Sequence, residues 1–147
     1  MIKINSMLLA IIMIFGLIIN LPAQDMGQIE WLSDLDQKKT AVYGDAIRLF
    51  ALQEGRQSVK PLTGTGIELD GYSQGDTLTK GMLAKMTARY LDLGGSIMYS
   101  IFGTERYAFR ACIANGIMRA DGSENDIISG PELLEVIGRV SEIKGEN

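Results

Sequence analysis

Oxygen-bearing side chains recur at short intervals between positions 121 and 132, a spacing that could bind a metal ion. Five of them fall at positions 1, 3, 5, 9 and 12 of a calcium-binding EF-hand loop: Asp121, Ser123, Asn125, Ser129 and Glu132. Position 6 of such a loop needs Gly for its sharp turn, but here it is Asp126. Two interpretations stay open: a calcium site on Asp121, Ser123, Asn125 and Glu132, or a turn in which these side chains bond to the backbone. The residue at position 6 favours the turn.

A second candidate site consists of basic side chains on one predicted helix. Lys80, Lys85 and Arg89 lie close together in the sequence and could contact an anionic polymer, with Lys80 and Arg89 as the candidate ligand-binding residues. Basic residues on a helix more often form a solvated surface that binds nothing. The periodicity predicts that all three point away from the apolar face of their helix.

The residues needed for common catalytic centres are missing from the chain. It contains no His, which excludes Ser–His–Asp and Cys–His catalysis and most zinc sites. The one cysteine, Cys112, lies in an apolar helical run and is predicted to be a buried thiol. Glu68 and Asp70 lie in a Gly-rich loop that lacks the Gly-Lys-Ser/Thr of a phosphate-binding loop. These features predict a non-catalytic protein without a cofactor.

The charge balance bears on the kind of partner. The chain carries 18 acidic and 14 basic residues, and its formal net charge is −4. Nucleic-acid binding calls for a basic surface that neutralises phosphates, so the acidic balance argues against a nucleic-acid partner.

The first 24 residues have the composition of a secretory signal peptide. Lys3 precedes an apolar run over 7–19, and Ala23 offers a small residue for signal peptidase. The run is short for a membrane span, and no basic cluster follows it. We expect cleavage near Gln24 or Asp25, with an uncleaved anchor as the alternative. Residues 25–147 are then expected to form a single helical domain in the bacterial periplasm or at the cell surface, without membrane contact.

Apolar residues recur at three- and four-residue spacing through most of this domain, which predicts an all-α fold of five or six helices. The predicted helical segments are 28–35, 40–53, 79–93, 96–102, 104–115 and 130–143. Thr79 and Ser129 are predicted N-caps, and Gly55 and Gly116 predicted helix stops. Residues 56–75, which contain Pro and several Gly, are predicted to form a long loop.

Two divergent helix–loop–helix repeats are predicted, over about 40–93 and about 104–143. The segment 76–89 aligns with 126–139 at an offset of 50, which pairs Asp with Asp, Leu with Ile, Thr with Ser and Arg with Arg. Upstream, 46–50 aligns with 108–112, and each run ends at a Gly. The first repeat carries the longer loop.

The repeats resemble the S-layer homology family of cell-envelope proteins. That family combines a Gly-Ile helix end, an Asp-Gly-Ser/Thr loop and an Ile-Thr-Arg-Ala-Glu junction that opens a second helix. The matching residues are Gly116-Ile117, Asp121-Gly122-Ser123, Ile128-Ser129 and Glu132, with Leu78-Thr79-Lys80 in the first repeat. The resemblance implies a helical domain that contacts cell-wall glycan or an envelope protein, and possible self-association to complete a larger bundle.

The junction departs from the family at its basic residue. The resemblance implies that an Arg there helps to hold anionic glycan, but this chain has Lys80 in one repeat and Gly130 in the other. Lys keeps the charge and loses the bidentate geometry of Arg, and Gly provides neither. The resemblance therefore predicts the architecture more directly than it predicts glycan binding.

Overall fold

Five α-helices account for most of the residues described by the computed structural model, which are 23–55, 67–93 and 103–145. They are α1 (Ala23–Gln37), α2 (Tyr43–Gln53), α3 (Lys80–Tyr90), α4 (Glu105–Ala114) and α5 (Gly130–Gly145). Within these ranges the extended pairing is limited to two isolated antiparallel bridges, Val42–Thr77 and Thr79–Ile127. The predicted all-α fold is confirmed.

The predicted helix ends agree with the structure where local residues set them. The Thr79 hydroxyl accepts a hydrogen bond from the Met82 N–H, which caps α3. Gly55 and Gly116 follow α2 and α4 with positive φ angles of 68° and 71°, a conformation that favours glycine. α2 begins at Tyr43 rather than 40, and α1 is longer than predicted. The predicted helix over 96–102 lies outside the described residues.

The described chain divides into two compact units between Asp34 and Leu35, within α1. The predicted signal peptide lies almost wholly outside the described residues, and its expected cleavage position falls in the first turn of α1. In the parts of the chain that the structure describes, no helix combines the length and apolarity that a bilayer span requires.

In the unit from Leu35 onward, three chain segments meet through a closed ring of backbone hydrogen bonds. The Ala41 N–H donates to the Ile128 carbonyl at 2.8 Å, the Ile128 N–H to the Leu78 carbonyl at 3.1 Å, and the Leu78 N–H to the Ala41 carbonyl at 3.0 Å. All three residues are buried. We refer to Ala41, Leu78 and Ile128 as the central ring. Buried backbone groups need hydrogen-bond partners, and here the N–H and C=O groups of the three segments are paired with one another. The segments can therefore cross the core although they do not form a sheet.

Each segment of the central ring leads directly into a helix and bonds to the start of the next one. The first N–H groups of a helix have no partner within that helix. Here the first amides of α2, α3 and α5 donate to carbonyls of neighbouring segments: Tyr43 to Asp76 at 2.8 Å, Lys80 to Asp126 at 2.9 Å, and Gly130 to Lys38 at 2.9 Å. The ring therefore fixes where the three helices begin.

The second residue of each of these helices fits the same arrangement. The Gly44 N–H donates to the Gln74 carbonyl at 2.9 Å, and the Gly81 N–H donates to the Glu124 carbonyl at 2.8 Å. A Cβ on either glycine would lie only 3.0 Å from the acceptor oxygen, so the close approach requires glycine. In α5 the second residue is Pro131, which has no N–H to satisfy.

Two pairs of helices pack together: α3 against α4, and α2 against α5. Cys112 of α4 is buried, as predicted, and its thiol donates a hydrogen bond to the Ala84 carbonyl of α3 at 3.6 Å. The large side chains with almost no exposed surface include Phe50, Leu83, Met86, Ile117, Leu133 and Val140.

The two loops that were aligned at an offset of 50 share local hydrogen bonds. The Ser73 N–H donates to Asp76 Oδ2 at 2.7 Å, and the Ser123 N–H donates to Asp126 Oδ2 at 2.9 Å. A third segment, 38–45, also belongs to the central ring. The sequence alignment did not include this segment, and instead paired residues 46–50 of α2 with residues 108–112 of α4. The organisation of the chain as two repeats stays a prediction.

Candidate functional site

Lys80 is the first residue of α3, and the central ring holds its backbone in place. The sequence placed its side chain on a solvated basic surface, and that expectation is wrong: Lys80 is only 8% exposed. Its Nζ donates to the Asp121 carbonyl at 3.0 Å and lies 3.3 Å from Glu132 Oε1 and 3.6 Å from Asp121 Oδ1. Residues 41 and 52 positions later in the chain cover it, which the periodicity of α3 could not indicate.

The loop that carries Asp121 approaches Lys80 closely because of one glycine. Gly122 has a φ of 80°, and a Cβ there would overlap the Asp126 carboxylate and lie 3.2 Å from Lys80 Nζ. Glu132 is placed by α5, whose N-cap hydroxyl on Ser129 accepts a hydrogen bond from the Glu132 N–H at 3.3 Å. The two carboxylates thus approach the ammonium group from a loop and from a helix.

A second set of ion pairs lies beside the first. Arg119 Nη2 is 2.9 Å and 2.8 Å from the two oxygens of Glu135, and Arg139 Nη2 is 2.6 Å from Glu135 Oε1. Arg139 also donates to the carbonyls of Gly116 and Ile117, each at 3.3 Å, which connects α5 to the end of α4. The hydrogen bond with Glu135 raises the pKa of Arg119 above its ordinary value, because the carboxylate favours the charged guanidinium.

These groups line two depressions that share Lys80, Arg119, Glu132 and Glu135, one open and one enclosed with room for only about 10 Å³, and we name the two together the Lys80 cleft. Its charged members are Lys80, Arg119, Asp121, Glu132, Glu135 and Arg139. Buried apolar side chains lie beneath them, among them Ile117, Ile128 and Val136. These side chains are at most 4% exposed, so a ligand in the open depression would meet the charged groups and Pro131 rather than the apolar side chains beneath them.

The sequence indicated some of this cleft and missed the rest. Lys80 and the acidic residues Asp121 and Glu132 were singled out, but as members of separate candidate sites. Glu135 and Arg139 lie four positions apart on one helix, a spacing that favours the ion pair they form. Arg119 was missed, because no local signal links it to a glutamate 16 positions later.

A lysine side chain occupies the position that a calcium ion bound by residues 121–132 would take. The carboxylates of Asp121 and Glu132 both face the Lys80 ammonium, which stands where a cation between them would lie. Ser123 Oγ bonds within the loop, accepting from the Asn125 N–H at 3.3 Å and donating to Asp126 Oδ1 at 3.3 Å. Over the described ranges, no group of three or more Asp, Glu, Cys or His is placed to hold a metal ion. Calcium binding here therefore requires the ammonium to move away first.

Arg89 lies at a different place from Lys80. They are nine positions apart in the helix, which places them about 13.5 Å apart along the axis and on opposite sides of α3. Arg89 Nη1 donates to the Glu68 carbonyl at 2.7 Å. The two residues therefore do not form a single site, and the ligand-binding role of each stays a prediction.

Arg89 borders an open depression near the C-terminal ends of α2, α3 and α5. Lys144 Nζ lies 3.7 Å from the centre of the Tyr90 ring and 2.8 Å from Glu54 Oε1. The hydrogen bond with Glu54 raises the pKa of Lys144, and burial raises the pKa of Tyr90. Basic side chains are favourable at helix C-termini, where carbonyl groups lack partners, so these contacts fit a structural role.

No family model, curated protein or solved structure matches this chain. The similarity to the S-layer homology family depends on the sequence motifs alone and stays a prediction.

Proposed function

We propose that this protein is an exported, non-catalytic protein of the bacterial cell envelope that binds the cell-wall polymer through the Lys80 cleft. The observation that carries the proposal is the cleft itself, in which charged groups fixed by mutual ion pairs line an open depression. The signal-like N-terminus and the envelope-protein motifs of the sequence support the same assignment.

The rigidity of the cleft supports binding as its role. Lys80 starts a helix that is bonded to the central ring, and Glu132 and Glu135 lie in the first two turns of α5, which is bonded to the same ring. Groups held in this way lose little conformational freedom when a ligand binds, so more of the interaction energy appears as affinity. A protein partner in the envelope is the second candidate, because the exposed side chains of Arg119 and Asp121 could also pair with a protein surface.

Sedimentation with isolated wall sacculi tests the proposal. We expect the purified protein to sediment with sacculi, and Lys80→Met and Arg119→Gln each to weaken binding by about tenfold, the loss typical of an important interface residue. Arg110→Gln is the matched control for Arg119→Gln, because it removes the same charge from an exposed position outside the cleft. Circular dichroism checks that each variant is folded.

The outcomes separate the candidates. Failure of the wild-type protein to sediment with sacculi, or equal binding by all three variants, would overturn the proposed site. Arg89→Gln tests the other residue predicted from the sequence, and a loss confined to this variant would move the site to the depression near Tyr90. A cross-linked envelope protein in place of wall binding would favour the second candidate.

Export is tested separately, by sequencing the N-terminus of the protein recovered outside the cytoplasm. A new N-terminus at Gln24 or Asp25 is expected from the signal-like segment. A chain that retains Met1 and stays in the cytoplasm would contradict export.

A further inference from the structure

We infer that the Lys80 cleft recognises a neutral, hydroxylated segment of glycan rather than an anionic polymer, an inference that rests on the proposed function. The starting observation is the balance of charge. Three cations, Lys80, Arg119 and Arg139, lie among three carboxylates, Asp121, Glu132 and Glu135. The cleft is therefore not electropositive, although Lys80 lies at its centre.

Each cation in the cleft is already paired with a carboxylate. The Lys80 ammonium has three N–H donors, and an aspartate carbonyl and two carboxylate oxygens lie within 3.6 Å of it. Arg119 spans both oxygens of Glu135, and Arg139 bonds to the same carboxylate. An anionic ligand would have to displace a carboxylate from at least one of these pairs and leave that carboxylate without its partner.

Exposure further disfavours an approaching anion. The Lys80 side chain is 11% exposed, whereas that of its partner Asp121 is 68% exposed. An anion that enters on this side meets a carboxylate before it meets the ammonium. The protein as a whole carries a net charge of −4, which adds repulsion at longer range.

The groups that stay accessible suit sugar hydroxyls. A carboxylate can accept about four hydrogen bonds and a guanidinium can donate five, so paired residues such as Asp121 and Arg119 keep capacity for further bonds. A hydroxyl both donates and accepts, and can therefore join such an alternating row without breaking an ion pair. Pro131, which is exposed and lines the open part of the cleft, provides an apolar surface for the C–H face of a sugar ring.

The experiment compares native sacculi with sacculi treated with hydrofluoric acid, which cleaves phosphodiester links and removes anionic polymers. The full chain is tested on both preparations, and titrated by NMR with a neutral N-acetylglucosamine tetrasaccharide and, separately, with polyphosphate. We expect equal binding to both preparations, chemical-shift changes in the cleft with the tetrasaccharide, and none with polyphosphate. Raising the ionic strength from about 0.1 M to about 1 M shortens the Debye length from about 10 Å to about 3 Å, and should change the affinity by less than about twofold.

Removal of one carboxylate charge should change the affinity for an anionic polymer and the affinity for a neutral glycan in opposite directions. Asp121→Asn leaves the cleft with one more positive charge than negative, so it would tighten binding to an anionic polymer. With a neutral glycan we expect the affinity to fall by up to about threefold, because an amide oxygen accepts weaker hydrogen bonds than a carboxylate. Asp70→Asn is the matched control, since it makes the same change of net charge at an exposed position outside the cleft.

The inference and the proposed function fail in different ways. Binding to native sacculi that disappears after acid treatment, falls with salt and strengthens in Asp121→Asn would overturn the neutral-glycan inference and leave the proposed function standing. Absence of binding to either preparation would overturn the proposed function, and the inference with it.

Discussion

The hydroxyl groups of Thr79, which precedes α3, and Thr87, which lies within it, have opposite hydrogen-bonding environments. Thr79 caps the helix, where its hydroxyl accepts a hydrogen bond from the Met82 N–H at 3.3 Å. Thr87 is fully buried, and its Oγ1 has no hydrogen-bond partner. A buried hydroxyl without a partner loses its hydration and receives nothing in exchange, so Thr87 lowers the stability of the fold.

We predict that Thr87→Val raises the free energy of unfolding by about 1 kcal/mol, because valine has the same shape and no hydroxyl to desolvate. Thr79→Val is the matched comparison, and should lower the free energy of unfolding by about 1 kcal/mol through loss of the cap. Urea unfolding monitored by circular dichroism measures both. A destabilised Thr87→Val protein would mean that the hydroxyl is satisfied.

Cys112 makes stability depend on alkaline pH. Burial raises the pKa of its thiol from 9.0 to about 12. The folded protein therefore keeps the thiol proton at pH values where the unfolded chain has released it. This contribution to stability is complete below pH 9.0 and is lost as the pH rises towards about 12.

The prediction is that wild-type protein loses about 2 kcal/mol of stability relative to Cys112→Ala between about pH 8 and about pH 10.5, since each pH unit in this window is worth up to about 1.4 kcal/mol. The raised pKa values of Tyr43 and Tyr90 act in the same direction in both proteins and cancel in the comparison. Urea titrations at several pH values provide the slopes. Parallel slopes for the two proteins would show that the buried thiol does not titrate as described.

Residue environments were predictable from the sequence where the local pattern determines them. Cys112 was expected to be buried because apolar residues surround it in the sequence. Lys80 was expected to be exposed because it begins a helix off the apolar face, and it is buried because the loop at Asp121 and the start of α5 cover it. The residues next to a position in the sequence do not indicate which distant segments will contact it, so the candidate site could be predicted only in parts.

Among the helices and loops, too, features set by neighbouring residues could be predicted and features set by distant segments could not. The N-caps of α3 and α5 and the glycine stops of α2 and α4 were predicted correctly, since residues within one helical turn decide them. The central ring was not predicted, because it joins positions 41, 78 and 128 through backbone groups that every residue type carries. A signal was nevertheless present: the second residue is Gly in both α2 and α3, and the third residue is acidic in both α2 and α5.

Two glycines of α5 differ in what surrounds them. A Cβ on Gly130 would overlap the backbone carbonyl of Leu35, whereas nothing lies within 4 Å of the Cβ position on Gly138. Gly130 thus permits the approach of the chain that carries Lys38 into the central ring. The sequence comparison noted Gly130 only as a position without a basic side chain.

We predict that Gly130→Ala lowers the free energy of unfolding by about 2 kcal/mol or more, because the Leu35 carbonyl accepts the Lys38 N–H and cannot move aside without disturbing the Lys38 carbonyl to which Gly130 donates. Gly138→Ala should raise it by about 0.5–1 kcal/mol, as expected for alanine in an exposed helix interior. Thermal unfolding of the two variants measures both effects on one helix. Equal effects would mean that the segment at Leu35 does not pack against α5 as described.

At the scale of the whole unit, the central ring makes three distant segments interdependent. Each ring residue donates one hydrogen bond and accepts another, so release of any one segment breaks two of the three bonds. Release also uncovers the first amides of two helices, which then lose the carbonyls they bond to. Opening one segment is therefore costly unless the others open with it.

Native-state hydrogen exchange tests this interdependence. The amides of Ala41, Leu78 and Ile128 should exchange with the same free energy, within about 0.5 kcal/mol, and that value should equal the free energy of global unfolding. Amides in the last turn of α5 should exchange by local fraying and serve as the internal reference. In Gly138→Ala all three ring amides should gain protection by the same amount, because stabilising one helix stabilises the common closed state. Exchange of the Ile128 amide through a lower-energy opening, while Ala41 keeps global protection, would show that the segments open separately and that the ring does not couple them.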